Sequence, residues 1–139
     1  MYKPLSLRNH LSSAIADLKQ NPDKLLVFAD EGRIVANGTA SLSFECHYQL
    51  TIILTDYQGD ANTLMVCLLA WVTDHQRDLM TNPERRQSGI RFEVDFINHE
   101  TADYSIKLDL TERVIVKQTK GKLEIIHPTE PQATSNYHN

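Results

Sequence analysis

The sequence predicts an α+β domain, with a mostly antiparallel sheet, one very long strand and two helices packed on one face. Three observations carry this. First, Leu42, Phe44, Cys46, Tyr48, Leu50, Ile52 and Leu54 alternate with Ser43, Glu45, His47, Gln49, Thr51 and Ile53, so every even-numbered position is apolar. A strict period of two marks a strand with one face on a core and the other wet. Second, two other stretches carry helical composition and spacing. Third, the links between the remaining alternating stretches are of hairpin length, which favours antiparallel pairing. At about 3.3 Å per residue the long strand spans roughly 43 Å, whereas a compact chain of this length has a radius of gyration of about 14 Å. Such a strand either bends at a bulge or projects beyond its own domain towards another subunit.

Leu7, Leu11, Ala14, Ile15 and Leu18 recur at steps of three and four, which predicts a helix over Leu5–Gln20 capped by Ser6 and stopped by Asn21-Pro22-Asp23. Leu25–Ala29 and Arg33–Ala36 flank Asp30-Glu31-Gly32 and read as a short hairpin. Asn37-Gly38 is a second turn and feeds the long strand. Asp60 caps a second helix over Ala61–Met80. Its run from Leu64 to Val72 has no polar side chain, so cover is expected on several sides. Thr81–Gly89 reads as a polar loop carrying Arg85-Arg86. Ile90, Phe92, Val94 and Phe96 form one further strand, and Tyr104, Ile106, Leu108 and Leu110 another whose phase continues at Val114 and Val116, with Glu112 the exception. A turn at Thr119–Gly121 and a strand over Leu123–His127 close a single domain over residues 1–127, followed by a flexible tail over 128–139.

The chain has 139 residues, 41% of them hydrophobic and 23% charged, the balance of a soluble globular protein. No apolar run approaches the roughly 20 residues that span a bilayer, and the N-terminus lacks a signal-peptide core, so synthesis in the cytoplasm and no membrane partner are expected. Cys46 and Cys67 fall at apolar positions and read as buried thiols. The net charge of −4 disfavours a specific nucleic-acid binder, which normally shows a basic stripe.

The chemistry is sparse. His75 and Asp78 share a helix face but lack a second ligand at metal spacing. Cys46 and His47 are adjacent on a strand and point to opposite faces, which rules out a nucleophile–base pair. No phosphate loop, nucleophile elbow or zinc signature occurs. Asp56, Asp60 and Asp95 are the one carboxylate group that the topology could gather at one end of the sheet. No catalytic, cofactor-binding or metal-ligating residue is assigned. The polar strand face (Glu45, His47, Gln49, Thr51) and the Arg85-Arg86 pair are the candidate protein interface, arginine being suited to bidentate contacts with partner carboxylates.

Several strings occur in order: Lys3-Pro4 with Ser6-Leu7-Arg8, Asn21-Pro22-Asp23, Leu42-Ser43-Phe44-Glu45, Tyr48 with Leu50, Thr55-Asp56, Gly59-Asp60, Leu69-Ala70-Trp71 and Leu110-Thr111-Glu112-Arg113. Together they resemble the tail completion protein R family of temperate contractile-tailed bacteriophages and prophages. The resemblance covers about residues 3–115 and implies a tail-terminator-like fold and a structural, non-enzymatic role without cofactor. It implies a subunit that caps the tail tube as a ring, of six copies by analogy with tail terminators, and prepares it for head joining. The implied partners are further copies of the chain, tail tube or sheath proteins and a head-completion or neck protein, with DNA passing through the lumen without specific binding. The implied location is the head-proximal end of the virion tail, after assembly in the host cytoplasm. Two other classes are compatible with the residues alone: a small cytoplasmic enzyme or ligand-binding domain using the acidic group, and a monomeric protein-binding adaptor.

Overall fold

The computed structural model describes residues 1–128, so the expected flexible tail lies outside the described residues from position 129 onward. The chain runs α1 (Lys3–Ala14), α2 (Ala16–Gln20), a single 3-10 turn (Pro22–Lys24), β1 (Leu25–Ala36), β2 (Phe44–Tyr57), α3 (Ala61–His75), α4 (Asp78–Thr81), α5 (Pro83–Ser88), β3 (Ile90–Phe96), β4 (Ala102–Thr119) and β5 (Lys122–Ile126). The strands lie in the order β1-β2-β4-β3, with β5 against the far end of β4, and every pairing is antiparallel. This is the α+β architecture that the alternation predicts.

The core forms where the even-numbered face of the sheet meets the helices. Leu50, Ile52 and Leu54 of β2 pair with Leu108, Ile106 and Tyr104 of β4, and all six are buried. Leu7, Leu11, Ile15 and Leu18 come down on them from α1 and α2, and Leu64, Leu68, Trp71 and Val72 from α3. Trp71 donates its indole N–H to Ser6 Oγ at 3.1 Å and stacks on His75 with 4.5 Å between ring centroids. Tyr57 and Tyr104 meet edge to face at 5.7 Å.

Several local expectations are corrected. The first helix is broken at Ile15, whose extended backbone separates α1 from α2 and drops its side chain into the core. Ser6 lies inside α1 rather than capping it. Asp30-Glu31-Gly32 is a bulge within one continuous strand, marked by a register shift between Asp30 and Arg33 and by φ of 49° at Glu31. The turn chemistry bends the strand instead of reversing it. The long strand begins at Phe44 and runs to Tyr57, with a second register shift between Leu54 and Tyr57. The second helix stops at His75, its expected last turn forms the separate short helix α4, and the expected loop over Thr81–Gly89 contains α5. Asn82 caps α5, its side-chain oxygen accepting from the backbone N–H groups of Glu84 and Arg85. Cys46 and Cys67 are free and half-buried rather than fully enclosed. The apolar run of α3 is covered on one side only, since Val66 and Leu69 stay exposed.

The longest strand is β4, with 18 residues. Past Val114 it leaves the helix-covered body, and β5 folds back on it through Lys120-Gly121. Both turn residues have positive φ, 50° and 78°, the geometry of a two-residue hairpin turn matched to strand twist, and glycine is the residue that enters it without strain. Residues 31–36 of β1 are exposed throughout alongside the start of β2. These segments form an arm on which Ile34, Leu123 and Ile125 are each more than half exposed.

Candidate functional site

Two polar networks lie on opposite faces of the sheet that carries the candidate residues. The first is buried. Glu112, the one break in the apolar phase of β4, lies under the N-terminus of α1 and is 3% exposed. Its carboxylate accepts from the Tyr2 backbone N–H at 2.9 Å, the Lys3 N–H at 3.4 Å and the Tyr48 hydroxyl at 2.6 Å. α1 has no side-chain cap of its own, and Glu112 places negative charge where the helix leaves its first amides unpaired. Lys3 is fully buried beside it and donates to Gln76 Oε1 at 2.7 Å and to the Thr111 carbonyl at 2.6 Å. Gln76 also accepts from the Thr111 N–H and donates to Asp78, tying α3, α4 and β4 together. Burial and the hydrogen bond to Glu112 push the Tyr48 hydroxyl far above the usual tyrosine range. Burial, with the Glu112 charge nearby, also raises the Cys46 thiol.

The second network crosses the opposite face of the sheet. Gln49 donates to Asp30 Oδ1 at 2.9 Å on one side and accepts from Arg91 at 2.9 Å on the other, and Arg91 makes a bidentate ion pair with Asp109. Four strands are thereby laced by their own side chains. Thr51 sits between Phe28 and Lys107 in the register and is 3% exposed. The expectation of a wholly wet strand face fails here. Gln49 is bridged to Asp30 and Arg91, and Thr51 is buried between its strand neighbours, both within the one chain. Glu45 and His47 remain nearer to solvent and pair with each other at 3.0 Å.

The arginine pair divides in the same way. Arg85 forms an ion pair with Asp78 and so holds α5 to α4, while Arg86 is exposed. His47, Gln49 and Arg85 come together with Glu31, Arg33 and Asp109 around an open depression of about 420 Å³ beside the β1 bulge. Glu45, Thr51 and Arg86 do not line it. Lys3 and Glu112 are not among the candidate residues, although the acidic break at Glu112 in the apolar phase of β4 is the signal in the sequence that points to this network.

Asp56 and Asp60 lie where β2 hands over to α3, and Asp95 lies near the end of β3, all at one end of the sheet. Asp60 is spent on capping α3, accepting from the Thr63 N–H at 2.9 Å. Among the described residues no group of histidine, cysteine and carboxylate side chains is arranged to hold a metal ion. Asp17, close by, is held below the usual carboxylate range: burial opposes this, but hydrogen bonds from the Gln58 N–H and Lys24 outweigh it. Among the described residues no helix is long and apolar enough to cross a membrane.

The sheet thus carries a projecting arm with exposed apolar side chains and an outer face laced by its own polar side chains. Residues 1–131 match the family model for P2 phage tail completion protein R (GpR). The Tail completion protein R of Escherichia phage P2 is 44% identical over 131 residues, which span 94% of this chain and 84% of that protein. No solved structure matches the chain. This chain belongs to the phage tail completion protein R family. Its role is therefore in completing a phage tail, its place is the virion tail, and its family is a structural one rather than a class of enzymes.

Proposed function

We propose that the protein completes the tail as a ring subunit, most simply one of six, seated at the head-proximal end of the tail tube. The ring stops tube growth and offers the neck protein a surface for head joining. DNA passes through its lumen without being gripped. The observation that carries this reading is the length of the sheet. The 18 residues of β4 extend about 59 Å, far more than one layer of helices covers. An arm of that kind, with exposed apolar side chains on a small domain, is accounted for by burial against neighbours. A head-to-tail contact that closes on itself gives a ring with different patches meeting at each interface.

In this reading Glu45, His47, Arg86 and the depression beside the β1 bulge face a neighbour or the tube, while Gln49, Thr51 and Arg85 hold that surface in shape. The test combines light scattering on the purified protein with electron microscopy of tails assembled with and without it. The expected result is a closed oligomer at high concentration, and tails of irregular length or without heads when the protein is withheld. A monomer at every concentration, together with normal head-bearing tails in its absence, overturns the proposal.

A further inference from the structure

We propose that the basic tip of the arm docks on the acidic end of the sheet in a second copy of this chain, an inference that rests on the ring reading above. The charge along the long strands is sharply divided. From Arg113 to Glu124 the tip carries Arg113, Lys117, Lys120 and Lys122 against the single Glu124, and all five are exposed. At the other end, residues 93–103 carry Glu93, Asp95, Glu100 and Asp103 with no lysine or arginine, and Asp56 and Asp60 lie beside them. The neighbouring cation there, Lys24, is committed to Asp17 at 2.9 Å and to the Asp56 carbonyl.

Apolar surface follows the same division. Leu123 and Ile125 are 58% and 61% exposed on the tip, and Phe96 and Ile97 are 78% and 53% exposed at the acidic end. Each end thus offers an apolar patch rimmed by charge, and the two rims have opposite sign, which gives both burial and orientation.

The two ends cannot satisfy each other within one subunit. From Asp103 to Thr119 along β4 is about 53 Å at 3.3 Å per residue, several times the Debye length of about 8 Å at physiological ionic strength. Two copies arranged head to tail bring them together. A contact between different patches leaves a free tip and a free acidic end at every step until a ring closes.

The test uses the full chain and charge reversal at exposed positions. One variant carries Lys117→Glu, Lys120→Glu and Lys122→Glu, a second Glu93→Lys, Asp95→Lys and Glu100→Lys, and a third carries all six changes. Circular dichroism melting checks that each folds, and sedimentation velocity at rising concentration reads association. Each triple variant is expected to associate at least about tenfold more weakly than the parent, and the sixfold variant to recover, because its rims are again opposite in sign. Parent association should also weaken as salt rises from about 50 mM to about 500 mM. If the parent associates and neither triple variant changes it, the docking is overturned while the ring reading stands. If the tip variant dissociates but the sixfold variant does not recover, the tip meets another surface and the inference also fails. A parent that never associates removes the ring reading and this inference with it.

Discussion

Tyr48 shows how one side chain ties a predicted feature to an unpredicted one. It keeps the even phase of β2, and its hydroxyl finishes the ligation of Glu112, 64 residues away. Tyr48→Phe removes one donor from a buried carboxylate and is expected to cost about 1.5–3 kcal/mol, read by denaturant unfolding. The pH dependence carries a definite sign. The folded hydroxyl titrates well above the unfolded value of about 10, so its contribution is fully present below that pH and is lost as pH rises beyond it. The parent should therefore lose stability above about pH 10 more steeply than the phenylalanine variant, in matched melts across that range. Trp71 is 2% exposed among α1, α3 and the sheet. Trp71→Ala should cost about 3–5 kcal/mol, and an unchanged melting curve would place the indole outside the core.

The elements differ in how far they could be read in advance. Alternation located β2, β3 and β4 because half-buried strands leave a period of two in the sequence. The break of the first helix at Ile15 had no such mark, since Ile15 continues the apolar stripe and its extended backbone is set by the fit against the sheet. Asp30-Glu31-Gly32 signalled a change of direction, but local chemistry cannot tell a bulge from a reversal when the partner strand decides. The candidate surface was legible in part. His47, Gln49 and Arg85 do converge, yet nothing local shows that Gln49 is bridged to Arg91 from two strands away. The short helices after α3 separate the two arginines by role. Arg85→Ala loses a half-exposed ion pair to Asp78 and should cost no more than about 1 kcal/mol. Arg86→Ala should leave the melting curve within about 0.5 kcal/mol of the parent. In a tail-assembly assay, a defect from Arg86→Ala would then report a lost contact with a neighbour; normal infectious particles would remove Arg86 from the interface.

For the whole molecule, the net charge of −4 conceals a strongly polar distribution, basic at the arm tip and acidic at the opposite end. In the proposed docking the basic residues of the tip meet carboxylates of a neighbour. The isolated protein is expected not to retain duplex DNA in a gel-shift experiment at physiological salt, since non-specific binding draws on lysine and arginine contacts that release counterions. Tight, salt-sensitive retention would mean that the tip is aimed at nucleic acid.

The capping of α1 by Glu112 also has a meaning in time. The first helix is made early, but the carboxylate that completes its N-terminus is 110 residues further along the chain. At ribosomal rates of about 5–20 residues per second, those residues take about 6–22 s to appear. Throughout that interval the carboxylate that accepts from the Tyr2 and Lys3 amides in the finished fold is still to come. A nascent chain stalled before Glu112 should therefore be cut by protease near its start, and one released beyond it should be protected.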